Sequence, residues 1–330
     1  MRKEICAVLM SALVLAGSRA GAKIDASAGT ATGSFLQMGG SARSLAMGGT
    51  GSALVSDPSA IWTNPGQIAG LTAPEFAFTH GSYVEDVSLN QMVFAGPLPV
   101  GAVSVALTMV EMGAIDSYDA TGAASGSVTP KDTGITAGYA VEAGKAGVGG
   151  SLTFINSQLD TDAKATAVAA DIGGRYEVLP ALTVSAAAQH LGPAMKFGTK
   201  TSSLPLVLRG GASGLLLNGR LRLAGDVVKP SDSGAVMLVG AEVSQDFSGD
   251  VSLSLRGGWK SVAPKGSNTG ISAGGGLCWR PRVPLGKDED MEEAFGPRDA
   301  LTLSGIRVDY AWTPMGELGT AHWLSFSLAF

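Results

Sequence analysis

The stretch Val168-Ala169-Ala170-Asp171-Ile172-Gly173-Gly174-Arg175-Tyr176-Glu177 decides the fold class. Val168, Ala170, Ile172 and Tyr176 share one parity, while Asp171, Gly173, Arg175 and Glu177 share the other. Side chains on a strand point alternately to its two faces, so this segment has one apolar face and one charged face. Leu221, Leu223 and Val227 oppose Arg220, Arg222 and Asp226 in the same way. The pattern returns where Val251, Leu253, Leu255 and Trp259 oppose Ser252, Ser254, Arg256 and Lys260, and where Ile306, Val308, Tyr310 and Trp312 oppose Arg307 and Asp309.

Strand length separates a soluble sandwich from a membrane barrel. Globular strands cluster at ~5–6 residues, whereas these alternating segments run to the ~9–11 residues of a tilted transmembrane strand. Fourteen such segments follow residue 75, near 75–83, 87–96, 101–112, 132–142, 145–158, 163–178, 181–191, 203–215, 218–229, 234–244, 249–260, 269–280, 301–313 and 319–330. The sequence therefore predicts an all-β chain, a transmembrane antiparallel barrel of about 14 strands with even strand number. With a periplasmic N-terminus, tight turns fall on even connections, near Pro97-Leu98-Pro99, Ala143-Gly144, Leu179-Pro180 and Leu217-Asn218-Gly219. The long stretches Gly113 to Lys131 and Gly192 to Ser202 fall on odd ones. The connection between Arg280 and Ala300, with the run Asp288-Glu289-Asp290-Met291-Glu292-Glu293, is long yet on the turn side, either a true insertion or a miscounted strand. Sparse aromatic girdles are expected at Tyr139, Tyr176, Trp259, Trp279, Tyr310 and Trp312.

Composition agrees. Of 330 residues 47 are Gly, 45% are hydrophobic and only 15% are charged, against averages of ~7% Gly and ~25% charge. Low charge with high hydrophobicity excludes disorder, and the formal charge of −5 supplies no basic excess for nucleic acid. Apart from the first residues, no apolar run approaches the ~20 residues of a transmembrane helix. Met1-Arg2-Lys3-Glu4, an apolar stretch from Ile5 to Ala16 and Ser18-Arg19-Ala20 read as a signal peptide over residues 1–20, cleaved after Ala20 or Ala22. Its removal deletes three basic and one acidic residue, taking the charge from −5 to −7. Cys278 then remains as the sole cysteine, so the exported fold must do without a disulfide.

Residues 34–71 break the alternation. Clustered glycines and Asn64-Pro65 predict a compact irregular segment with one short helix around Asp57 to Ile61. Residues 21–74 are expected to fill the lumen of the barrel formed by 75–330, as a plug or hatch, because irregular backbone is tolerated there only when protein surrounds it. In that setting Arg43 either latches the plug by pairing with a carboxylate, with Asp171, Glu177, Asp226, Glu242 and Asp309 available, or stays solvated in a wet lumen. The inward set Asp171, Arg175, Arg209, Arg220, Arg222, Asp226, Glu242, Arg256, Arg307 and Asp309 mixes both signs. Mixed sign predicts pairing and plug contacts and not an ion filter. No long apolar lumen face is expected, with Phe35, Met38 and Met47 lining at most a short one.

Gly48-Gly49-Thr50-Gly51 lacks the strand, βαβ unit and Lys-Ser/Thr pair of a phosphate loop, and reads as tight turns. His80, His190 and His322 have no Ser or Asp at a motif spacing. There is no Cys/His cluster for a metal, and the acidic run lacks the ligand spacing and glycine of a calcium loop. The chain is read as a non-enzyme without cofactor or metal.

The two ends carry a resemblance. Phe35-Leu36, Gly39-Gly40, Ala42-Arg43, Met47-Gly48-Gly49, Asp57 and Trp62 before Asn64-Pro65 form one block. The other runs from Val308-Asp309-Tyr310-Ala311-Trp312 through Gly316, Leu318-Gly319, His322 and Ser325 to Phe330. Together they resemble the PorV/PorQ family of outer-membrane proteins, which is related to FadL-type barrels. The family usually has Asn-Pro-Ala then Gly-Leu, where this chain has Asn64-Pro65-Gly66-Gln67. The resemblance implies a fourteen-stranded, plugged barrel in the bacterial outer membrane. It implies either binding and shuttling of secreted cargo in a type IX secretion-like pathway, or passive transport of hydrophobic small molecules; a structural barrel is the third alternative. Expected partners are outer-membrane lipids, the cargo or small molecules, and the barrel-assembly machinery. That machinery would read the last strand through Phe326, Leu328 and Phe330.

Overall fold

The computed structural model describes residues 31–54, 57–83, 86–119, 121–160, 163–261, 270–281 and 303–330. The signal-peptide stretch and the acidic run lie outside them. Fourteen strands close into one antiparallel barrel. They are β1 (Glu75–Ser82), β2 (Ser88–Pro97), β3 (Ala102–Glu111), β6 (Lys131–Ala143), β7 (Ala146–Gln158), β8 (Lys164–Leu179), β9 (Leu182–Leu191), β12 (Val207–Leu216), β13 (Leu221–Pro230), β14 (Val236–Ser248), β15 (Val251–Lys260), β16 (Ile271–Trp279), β17 (Gly305–Pro314) and β18 (Thr320–Ala329). Each pairs with its sequence neighbour in the barrel, and β1 pairs with β18 to close it. Every predicted segment is a strand. The long β16–β17 connection stays on the turn side with the count intact, so it is a true insertion.

Long stretches at the other, loop end are not plain loops. Two small hairpins stand there, β4 (Ile115–Tyr118) with β5 (Ala124–Val128), and β10 (Met195–Phe197) with β11 (Lys200–Ser202). Their alternation is too short to read from sequence.

The parity argument sets the faces. Phe94, Val105, Ile135, Leu152, Phe154, Val168, Ile172, Leu208, Val243, Leu255 and Leu324 are exposed on the outer wall. Thr79, Gln91, Ser104, Thr136, Ser151, Asp171, Arg175, Asp226, Glu242, Arg256 and Asp309 are buried on the inner one. Tyr139 and Tyr176 are exposed towards the turn end, Trp259 towards the loop end and Tyr310 at mid-strand, while Trp279 and Trp312 are half-buried. Among the described residues no helix is long and apolar enough to cross a membrane.

Residues 34–70 run against the inner faces of the strands. They begin at the loop end, where Thr32 N–H donates to Ser203 O at 3.0 Å, and reach the turn end before β1. The short helix expected around Asp57 to Ile61 is a 3-10 turn, Pro58–Trp62, capped by Asp57 accepting from Ser59 N–H. The segment also holds 3-10 turns Ser34–Gln37 and Pro65–Gly70 and a short α-helix, Ala42–Ala46, capped by Ser41. The glycine-broken sequence hides these because each is about one turn long, below the length at which periodicity is readable.

Inward glycines seat this segment. A Cβ on Gly149 would lie 2.7 Å from Pro65 O, and Gly138, Gly173, Gly240, Gly258 and Gly274 likewise leave room for Ile61, Asn64, Met47, Gly48 and Ala46. Gly66 explains the departure from Asn-Pro-Ala: its Cβ would stand 2.6 Å from Gly173 O and 2.8 Å from Gly174 Cα, both backbone atoms that cannot step aside. Gly66→Ala is expected to lower unfolding stability by about 1–3 kcal/mol, the usual cost of overpacking. Gly257→Ala, where nothing lies within 4 Å, should be neutral. Urea unfolding followed by heat-modifiable gel migration measures both; equal effects would refute the close-approach argument.

Candidate functional site

The lumen is built jointly by the barrel wall and residues of the irregular segment, and a charge cluster lies on its β13–β18 side. Glu242 on β14 accepts from Arg43 Nε at 2.8 Å and Nη2 at 2.6 Å, a two-pronged contact, and from Arg256 Nε at 2.6 Å. Arg222 Nε stands 3.6 Å from the same carboxylate. Arg256 Nη1 continues to Asp309 at 2.7 Å. On the other side Arg43 Nη1 lies 4.0 Å from Asp57, which is 3.5 Å from Arg307 Nη1, and Arg307 Nη2 is 3.7 Å from Glu75. Four arginines thus meet four carboxylates. Burial opposes the charge on Arg43, yet Glu242 and Asp57 hold its pKa above the ordinary arginine value. Of the five carboxylates available to Arg43 by sequence, the fold selects Glu242.

The remaining predicted charges divide. Asp226 forms a cradle, accepting from Gly51 N–H (3.0 Å), Ser52 N–H (3.1 Å), Ser52 Oγ (2.8 Å) and Arg209 Nη1 (3.0 Å). Asp171 accepts from Ser151 Oγ at 2.8 Å and from His190 N–H at 2.6 Å, where a bulge shifts the β8–β9 register. Arg175 pairs with Glu142 and Glu177, each at 3.0 Å, away from the central cluster. Arg220 is not lumenal: it is exposed just after the Leu217–Gly219 turn, because β13 starts one residue later, at Leu221.

Irregular backbone inside a barrel must be satisfied by side chains. Gln91 accepts from Gly40 N–H at 2.9 Å, Ser325 from Ala42 N–H at 2.7 Å and Ser272 from Gly48 N–H at 3.0 Å. Arg209 donates to Gly49 O at 3.1 Å, Ser213 to Ala53 O at 2.7 Å and Gln189 to Trp62 O at 2.9 Å. Asn64 Nδ2 donates to Ser52 O and Gly174 O, while Pro65 opens the following turn. Gly48 and Gly49 take positive φ of 77° and 85°, the tight turns expected of them. Met47 is fully buried with Leu54 and Ala224.

The short apolar face expected at Phe35 and Met38 is extended by residues of the barrel wall, while Met47 packs elsewhere. Phe35 of the segment joins Leu89, Val110, Ile155, Met195, Leu204 and Trp323 in a buried cluster at the loop end, with Leu36, Met38, Tyr83 and Phe197 against it. Gly81 leaves space for the Trp323 ring, whose Nε1–H donates to Thr313 at 3.0 Å. Apart from β8, where Ala165, Ala167 and Ala169 share the inward parity, each barrel strand contributes only one or two residues of this cluster near its loop end. The usable signal was the repeated slip of alternation at Leu89, Val110, Ile155 and Trp323. Beneath the cluster, a cavity of about 110 Å³ is lined by Leu36, Met38, Trp62, His190, Val207 and Arg209, among others.

The other candidates are dispersed. His80 and His322 lie on the outer wall, bonded to Asn90 and Tyr310, and His190 Nδ1 lies 3.0 Å from Pro205 O. Among the described residues no group of three or more His, Cys, Asp and Glu could hold a metal. Phe326 and Leu328 sit on β18, and Phe330 N–H donates to Pro74 O at 2.9 Å.

No protein-family model matches the sequence, and no curated protein sequence matches it significantly. Solved structures do match. The Pseudomonas putida toluene transporter TodX superposes with a TM-score of 0.55 at 12% identity, covering 88% of this chain and 97% of that one. The Ralstonia pickettii toluene transporter TbuX gives 0.53 at 15%, with 88% and 97% covered, and the CymD monoaromatic hydrocarbon channel 0.52 at 11%, with 88% and 96%. At such identities the likeness is one of fold: the chain shares with these channels a closed, fourteen-stranded antiparallel barrel.

Because Glu242 serves three guanidiniums, Glu242→Gln is expected to be costlier than Arg43→Met, each removing one side of a buried pair at about 3–5 kcal/mol. Both should raise the rate at which added protease cuts between residues 40 and 57 in the folded barrel. Unaltered cutting in both variants would show that the cluster does not hold the segment.

Proposed function

We propose that the chain is an outer-membrane channel for passive entry of hydrophobic small molecules, with residues 21–74 as its plug. The observation that carries this reading is the apolar cluster at the loop end of an otherwise polar lumen, built jointly by the barrel and by Phe35, Leu36 and Met38 of the segment. A hydrophobic solute leaves water at such a surface at about 25 cal/mol per Å² of apolar area buried. The ion cluster lies on the β13–β18 side, so a solute descending past Met38 and Trp62 meets few charges until Arg209. The fold shared with toluene and monoaromatic hydrocarbon channels supports the same reading. Shuttling of secreted cargo rests on the terminal motifs alone, and the lumen geometry favours the small-molecule reading over it. No step in the reading calls on catalysis or a cofactor.

Uptake of labelled toluene by cells with and without the protein tests it. Expressing cells should take it up faster. Ile155→Asp, which sets an unpaired carboxylate in the cluster, should cut the protein-dependent rate about tenfold or more while heat-modifiable migration persists. Equal uptake with and without the protein sinks the reading. Co-purification of secreted proteins that share a C-terminal domain would favour the cargo role instead.

A further inference from the structure

A further cavity lies at the turn end, away from the proposed apolar path, with Arg307 and Glu75 of the charge cluster in its wall. It measures about 430 Å³ and sits between Gly70–Ala73 and the ends of β16, β17, β18 and β1. Its polar lining is Glu75, Cys278, Arg280, Ser304, Arg307 and Ser327. The Arg307 side chain is only 13% exposed, yet its carboxylate partners Asp57 and Glu75 stand at 3.5 and 3.7 Å. Charge-assisted N–H···O bonds close to about 2.7–2.9 Å, so neither carboxylate takes up the donor fork of Arg307. Arg43, Arg222, Arg256 and Arg307 are balanced by Asp57, Glu75, Glu242 and Asp309. Arg280, exposed at the cavity mouth, adds a further cation among the described residues, beside Glu75.

We infer that this cavity binds an oxyanion, a carboxylate or phosphate on a small molecule. Arg307 engages it with its planar fork, which matches both geometries. Arg280 approaches from the mouth and Ser304 is a hydroxyl donor on the wall, while the Ser327 hydroxyl bonds the Glu75 carboxylate at the edge of the cavity. The volume falls within the ~300–1,000 Å³ of small-molecule sites, and Leu71, Ala73 and Ala329 line it for an apolar remainder. The site does not depend on the transport reading, since an anion could enter from the lumen or directly from solution at the turn end.

Cys278 provides the measurement. It faces Arg307 across the β16–β17 ladder and lines the cavity. In purified full-length barrel carrying Cys6→Ser, the rate of Cys278 modification by neutral methyl methanethiosulfonate is followed with benzoate, inorganic phosphate or chloride at equal ionic strength. Benzoate or phosphate should slow the reaction several-fold, and chloride should not. Protection should be lost in Arg307→Ala and in Arg280→Ala, and be partial in Arg307→Lys, which keeps the charge without the fork. Arg280→Ala, at the exposed mouth, keeps the test valid if Arg307→Ala fails to fold. Protection by benzoate alone assigns a carboxylate ligand, and protection by phosphate assigns a phosphate-type one. No protection by either anion, equal slowing by chloride, or undiminished protection in Arg280→Ala and Arg307→Ala overturns the inference.

Discussion

The contact between Arg43 and Glu242 is where the two parts of this protein become one structure. An arginine carried by an irregular segment cannot be buried inside a barrel without a carboxylate, and a glutamate on a barrel wall cannot be buried without a cation. Glu242 receives Arg43 by two hydrogen bonds and Arg256 by a third. The cluster then extends through Asp309, Asp57 and Arg307 to Glu75 on β1, across the seam between β1 and β18. Such a cluster adds little net stability over an apolar core of equal volume. Its effect is register, because a segment shifted by one residue would leave several charges unpaired at once.

The same demand accounts for the wall. Asp226, Gln91, Gln189, Ser213, Ser272 and Ser325 come from different strands, and each bonds a backbone group of the segment. Where the segment comes closest, the wall has glycine, as at Gly149, Gly173, Gly240 and Gly258. The unusual glycine content of the chain is in good part this pairing of surfaces. A close-packed interior leaves no slack to absorb a methyl group against backbone atoms.

The lumen is unequal around its circumference. Charges gather at β13 to β18, glycines and the Asn64-Pro65-Gly66 turn at β7 and β8, and large apolar side chains at the loop end. Ionic and backbone contacts fix one side of the segment, and apolar contacts, which have no directional preference, cover the other. The proposed solute path runs along the second side, and the proposed oxyanion cavity lies below the first.

Alternation was fully legible in the sequence, since the period of two at Val168–Glu177 follows from backbone geometry and needs no partner strand. Strand number, the inward or outward sense of most strand side chains and the irregularity of residues 34–71 follow from such local patterns, Arg220 at a strand end being an exception. Arg43 could be read as a latch to a carboxylate, but not to which one, because Glu242 lies 199 positions away and its choice depends on the closed barrel. The loop-end apolar cluster was hidden for the same reason: Leu89, Val110, Ile155 and Trp323 each look like a lapse in their own strand. Only closure of the sheet brings them to one height on one wall. Gly66 looked like a departure from a motif until Gly173 and Gly174 were found against it. Sequence alone determined which face the side chains within a strand take, a property of the local backbone. Tertiary structure alone decided which side chains meet, because that depends on shear and closure around the whole barrel.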